Sequence, residues 1–115
     1  MKYILPLVGF YFLVFSSYAQ NKKYFTQTYE KAKSQLEIGD YEAAKRNFKD
    51  LTVEHKNNPY TQYAYYWCGY ANFHSNDLPG ARFILLELTS KYPTWDKRDE
   101  ANYLLSNVLL EEHDT

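Results

Sequence analysis

Residues 65–93 read YYWCGYANFHSNDLPGARFILLELTSKYP, and their spacing decides the fold. Tyr66, Gly69 and Phe73 stand three and four residues apart, which places them on one face of an α-helix. Asn76 and Asp77 then interrupt the pattern. Asn76 can take the left-handed conformation that ends a helix, and the Asp77 carboxylate can accept the free amide protons that begin the next. Pro79 falls in the first turn of that second helix, where its missing N–H costs little. Ala81, Leu85 and Leu88 resume the helical spacing, so the stretch predicts a helix, a short turn and a second helix.

Working outward, the chain matches itself at a shift of 37 residues. The trio Tyr66, Gly69, Phe73 falls on Tyr29, Ala32, Leu36 in one direction and on Tyr103, Ser106, Leu110 in the other. Asn76, Asp77, Leu78, Ala81, Leu85 and Leu88 fall likewise on Gly39, Asp40, Tyr41, Ala44, Phe48 and Leu51. Asn58 before Pro59, and Asp96 after Pro93, mark two further helix starts. Five helices are predicted, near 22–37, 41–55, 59–74, 78–92 and 97–112, with strict alternation absent. Small residues at Ala32, Gly69, Ser106, Ala44 and Ala81 let neighbouring helices approach, and Phe48, Leu51, Leu85 and Leu88 fill the space between successive pairs. The fifth helix is expected to act as a lone cap whose stripe Tyr103, Leu104, Val108 and Leu110 covers the second hairpin.

The first 19 residues have a different character. Lys2 is followed by an apolar run from Tyr3 to Phe15, and small residues stand at Ser17 and Ala19. That is the layout of a cleavable export signal, with the cut expected between Ala19 and Gln20. The run is shorter than the roughly 20 residues needed to span a bilayer; retention as an anchor is the competing reading. The domains expected are thus 1–19, a signal peptide, and 20–115, the helical repeats, in an exported protein that is periplasmic or secreted. Because a lipid-modified cysteine would have to stand at the cleavage site and the one cysteine is Cys68, the sequence reads as not a lipoprotein. With no second cysteine there is no internal disulfide, so packing alone must hold the domain, and Cys68 reads as a small buried apolar residue.

A formal net charge of −1 gives no general attraction to nucleic acid or anionic lipid. His55, His74 and His113 lack metal-ligand spacing, no glycine-rich phosphate loop or nucleophile elbow is present, and neither Ser90 nor Cys68 stands in a catalytic motif. The reading is therefore no enzyme, no cofactor and no metal. Lys45, Arg46 and Lys49, flanked by Glu42 and Asp50, read as a solvated helix face.

The segments GDYEAAKRNF (39–48) and 65–93 resemble the tetratricopeptide repeat: a small residue in the first helix, a polar turn, an early alanine in the second, a large apolar residue four further on, and a closing proline, here Pro93. The resemblance is to the type found in bacterial envelope proteins, such as outer-membrane assembly lipoproteins and the Tol-Pal accessory protein. It covers roughly 25–112 and implies an all-α stack of about two and a half helical hairpins with a right-handed superhelical twist. The first repeat fits more loosely, since Lys31 and Gln35 replace apolar residues, and the period exceeds the usual 34 or so. In such repeats the first helices line a concave face that holds a peptide or partner protein. Carried onto this chain, the lining is Tyr29, Lys33, Tyr63, Tyr66, Tyr70, His74, Tyr103 and Asn107; the packing residues are Ala32, Gly39, Ala44, Phe48, Leu51, Gly69, Ala81, Leu85, Leu88 and Pro93. Tyr66 and Tyr103 also lie in the repeating frame and so have a core reading beside the binding one. The thirteen tyrosines suit a recognition surface. They leave two other readings open: a sugar-binding protein that stacks rings on tyrosines, and a piece that self-associates through an exposed repeat end or belongs to a longer array.

Overall fold

The structure is a computed structural model that describes residues 4–55 and 57–114, with side chains from residue 17 onward. Among the described residues it is all-helical: α1 (Ile4–Glu37), α2 (Tyr41–Glu54), α3 (Thr61–His74), α4 (Leu78–Lys91) and α5 (Arg98–Asp114). Each helix packs chiefly on its chain neighbours, so the hairpins stack in a line, as a tetratricopeptide-like repeat does.

The turns form where their local chemistry places them. Gly39 at φ +84° and Asn76 at φ +66° are the left-handed residues that end α1 and α3. Beside them, Asp40 Oδ1 accepts from the Ala43 N–H at 3.3 Å and Asp77 Oδ1 from the Gly80 N–H at 3.1 Å, capping α2 and α4. A Cβ added at Gly39 would have nothing within 4 Å, so this glycine serves the turn and not the packing expected of it. Asn58 is displaced from its expected role too. Its side chain accepts from the Tyr60 N–H at 2.9 Å in the turn before α3, whose first residue is Thr61. The Thr61 hydroxyl ties that turn down by donating to the His55 carbonyl at 2.6 Å.

Helix α1 begins far ahead of the expected start near residue 22. Residues 10–37 contain neither glycine nor proline, so nothing in the chain stops the helix where the apolar leader meets the polar segment. Lys2 and most of the apolar run of the expected leader lie outside the described side chains. Ser17–Tyr24 are all exposed, and among the described side chains Phe25 is the first in the core.

The core follows the 37-residue frame through two repeats. Ala32, Ala44, Phe48, Leu51, Ala81, Leu85 and Leu88 are buried, as expected. A Cβ at Gly69 would lie 2.6 Å from Leu85 Cδ2 and 3.3 Å from Ile84 Cγ2, so α3 and α4 meet there in direct contact. Gln35, out of place in an apolar frame, accepts a half-buried hydrogen bond from Asn47 Nδ2 at 2.8 Å and so joins α1 to α2. Two expectations need correction. Pro93 is exposed; its carbonyl accepts from the Arg98 guanidinium at 2.6 Å, and the loop it sits in is packed instead by Tyr92 and Trp95. On α5 the buried stripe is Ala101, Leu104 and Val108, while Tyr103 (72 % exposed) and Leu110 (62 %) face away from the second hairpin. Those two sit on the side where α3 receives α4, and no described helix covers that side of α5.

Candidate functional site

The first helices of the hairpins, α1, α3 and α5, stand side by side with little direct backbone packing between them. Aromatic side chains bridge the gap. Tyr63, Trp67, Tyr70 and His74 recur on α3 at steps of four, three and four, which places them on one stripe. The Lys33 ammonium reaches across from α1 to lie 3.8 Å from the centre of the Trp67 ring, and Tyr29 meets the Tyr60 ring at 6.2 Å. From Tyr60 the chain of rings continues to Tyr63 at 6.0 Å and to Trp95, in the loop before α5, at 5.2 Å. Along α3, Tyr66 and Tyr70 flank Trp67 at 5.1 and 5.4 Å, and Tyr70 meets His74 at 4.2 Å. His74 is stacked in turn on Tyr41 of α2 at 5.2 Å.

Tyr29, Tyr66, Trp67, Tyr70 and Trp95 are half-buried, their bodies packed on the core and their polar edges available, while Tyr60 and His74 are exposed. Burial pushes the Tyr29 phenol up, partly offset by a hydrogen bond with Trp67. Burial also raises Tyr66, with the Glu100 carboxylate of α5 adding to the shift. Both hydroxyls therefore stay protonated at neutral pH and can donate as well as accept. A band of rigid rings with neutral hydroxyls, one ammonium and an imidazole offers contact area and hydrogen bonds to a peptide backbone.

Of the expected lining, the structure brings Tyr29, Lys33, Tyr63, Tyr66, Tyr70 and His74 into this band. Asn107 is half-buried on α5. Tyr103, by contrast, is open to solvent, because the frame position that Tyr66 fills beside other rings lies at the outer end of the stack. Sequence reasoning missed Trp67, Tyr60, Trp95 and Tyr41. The four-three-four spacing of the α3 stripe held the signal for Trp67; the others arrive from turns and from α2 and had no local signal.

Cys68 sits behind this band, 1 % exposed, its thiol pushed up to about 12 by burial. At neutral pH it is an inert packing group. Among the described residues no group of three His, Cys, Asp or Glu side chains could hold a metal ion, and no helix is long and apolar enough to cross a membrane.

Stacked hairpins, with a band of aromatic rings between their first helices, define a helical-repeat protein of the tetratricopeptide type. The YfiO family, described as outer membrane lipoprotein, matches residues 21–115, and the chain belongs to this family of bacterial envelope proteins. No curated protein is similar enough in sequence to count as a match. The family corrects the expectation that the protein is periplasmic or secreted and not a lipoprotein. The exported part of that expectation rested on the leader, and the exclusion of a lipoprotein on the place of one cysteine. Cys68 is a core residue of α3, and its position carries no information about an anchor.

Proposed function

We propose that this chain is an adaptor of the bacterial outer membrane that holds a partner protein by gripping an extended segment of it in the groove between α1, α3 and α5. On this reading residues 1–19 serve as an export leader ahead of the repeat domain at 20–115. The observation that carries the proposal is the continuous run of rings from Tyr29 through Tyr60, Tyr63 and Trp95, with Lys33 on Trp67 and Tyr70 on His74 beside it. Family membership supports the envelope setting.

The ring geometry favours peptide over sugar. Sugars stack on open, flat ring faces, whereas Tyr63–Trp95, Tyr66–Trp67 and Trp67–Tyr70 meet at interplanar angles of 89°, 75° and 76°, edges closing on faces. Self-association through the outer end of the stack has its own support in the exposed Tyr103, Leu109 and Leu110 of α5. Affinity capture from envelope extract, with Tyr63→Ala/Tyr70→Ala as control, separates the two readings. A partner retained by the wild type and lost by the folded double variant supports the groove. Retention of nothing, together with a dimer in light scattering, supports the end.

A further inference from the structure

A second groove lies between α2 and α4, the second helices of the two hairpins, with α3 as its floor. It encloses about 660 Å³. Its floor is Tyr65, Cys68 and Asn72, each nearly inaccessible. Its two walls differ in chemistry. The α2 wall carries Arg46 and Lys49 with Val53 beyond them, whereas the middle of the α4 wall carries Gly80, Phe83 and Ile84, with Glu87 and Lys91 at its far end.

Both ends of the groove are electrostatically closed. At one, Lys45 is paired with Glu42 at 3.2 Å and Asp77 at 3.6 Å; at the other, Lys91 is paired with Glu87 at 2.7 Å and hydrogen-bonded to the Tyr65 hydroxyl at 3.3 Å. Between them, Arg46 and Lys49 have no ion pair among the described residues. Across from these cations, Phe83 is 70 % exposed, and Val53, on the α2 side, is 59 % exposed. Phe83 and Val53 are isolated from the aromatic groove by the body of α3, so the two grooves are separate surfaces. What reads in sequence as a solvated basic face is thus one wall of a cleft whose other wall is apolar in its middle, between Asp77 and the Glu87–Lys91 pair.

We infer that the groove between α2 and α4 is a second docking site, for an acidic segment of a partner protein whose carboxylates meet Arg46 and Lys49 and whose apolar side chains cover Phe83 and Val53. Charge complementarity sets the sign of the partner: unpaired cations beside a desolvating apolar wall favour carboxylates and reject a basic segment. The apolar wall sets its amphipathic pattern, because an acid-only segment would leave Phe83 in water. Attachment here leaves the aromatic groove free, so one copy could hold two segments at once, and the failure of one site leaves the other standing.

The test uses the full chain and two synthetic dodecapeptides, one built from Glu and Leu and the other from Lys and Leu in the same order. Amide shifts in the nitrogen–proton spectrum locate binding, and a fluorescence titration measures it. The acidic peptide is expected to shift amides of residues 46–53 and 80–87. Arg46→Glu/Lys49→Glu is expected to weaken it by about tenfold or more, with weaker binding at higher salt. Phe83→Ala is expected to weaken it in the same titration, while Tyr63→Ala/Tyr70→Ala leaves it unchanged. All these positions are half-exposed or exposed, and circular dichroism verifies that each variant is folded. Equal binding of the basic peptide, shifts confined to the aromatic groove, or indifference to the charge reversal overturns the assignment. So does capture of phosphatidylglycerol vesicles through Arg46 and Lys49 without any effect of Phe83→Ala, which would make the surface a lipid contact.

Discussion

Helices α3 and α5 occupy the same place in successive repeats, yet α3 lies between α2 and α4 whereas α5 rests almost wholly on α4. Their sequences prepare them alike: Tyr66, Gly69 and Phe73 on one, Tyr103, Ser106 and Leu110 on the other. On α3 the small residue is buried and the two large ones are half-buried; on α5 all three are exposed. A repeating frame therefore encodes which side of a helix is built to be covered, and the neighbouring helix decides whether it is. The opposite end of the stack differs again. On α1, Gln27, Lys31 and Ser34 are polar and exposed, while the α5 end presents Leu109 and Leu110.

Substitutions at matched places on the two sides should separate covered from uncovered positions. The largest contrast is expected between Leu85→Ala, which empties the contact beneath Gly69 at a cost of about 2–5 kcal/mol, and Leu110→Ala, which should stay within about 0.5 kcal/mol. Urea unfolding monitored by circular dichroism measures both; equal losses would break the comparison. Next comes overpacking. Gly69→Val drives a branched side chain into Leu85 and should cost about 1–3 kcal/mol or more, whereas Ser106→Val meets open space and should change stability by less than about 0.5 kcal/mol. Asp77→Ala removes the cap of α4 and should cost about 1 kcal/mol, read in the same unfolding curves.

A last effect, absent at neutral pH, concerns protons at Cys68. Its thiol is raised in the folded chain to about 12 from an ordinary value of 9.0, so folding favours the protonated form. The resulting stabilisation is complete below pH 9, declines as pH rises through that window and is lost above about 12. Iodoacetamide at neutral pH should leave Cys68 unmodified until the chain unfolds. A cysteine at the matching place on α5, Leu105→Cys in a Cys68→Ser background, should react faster, because no second wall covers it.

Much of the fold was legible because short-range chemistry determines it. Gly39–Asp40 and Asn76–Asp77 declare their turns through backbone freedom and a carboxylate cap, and both form as read. The start of α1 was not legible, since an apolar leader and a polar helix both favour helical backbone and no breaker separates them. Tyr103 and Leu110 were misread as core for a different reason: the frame reports periodicity and is silent on neighbours. In the aromatic groove, the α3 residues Tyr63, Tyr70 and His74 share a stripe and could be found from spacing. Trp95, Tyr60 and Tyr41 join it only through tertiary packing. The basic residues of α2 were legible as charge, but Phe83 and Ile84 across from them come from another hairpin.

The central claim is that a partner segment lies in the aromatic groove. Photo-crosslinking in intact cells tests it most directly, with benzoylphenylalanine placed in turn at Tyr70 in the groove, at Leu110 on the end of the stack and at Tyr24 on the exposed part of α1. The account predicts a discrete crosslink to another envelope protein at Tyr70, mapped by mass spectrometry to an extended segment, that disappears when Tyr63→Ala is added. Crosslinks at Leu110 alone, joining two copies of this chain, would contradict it.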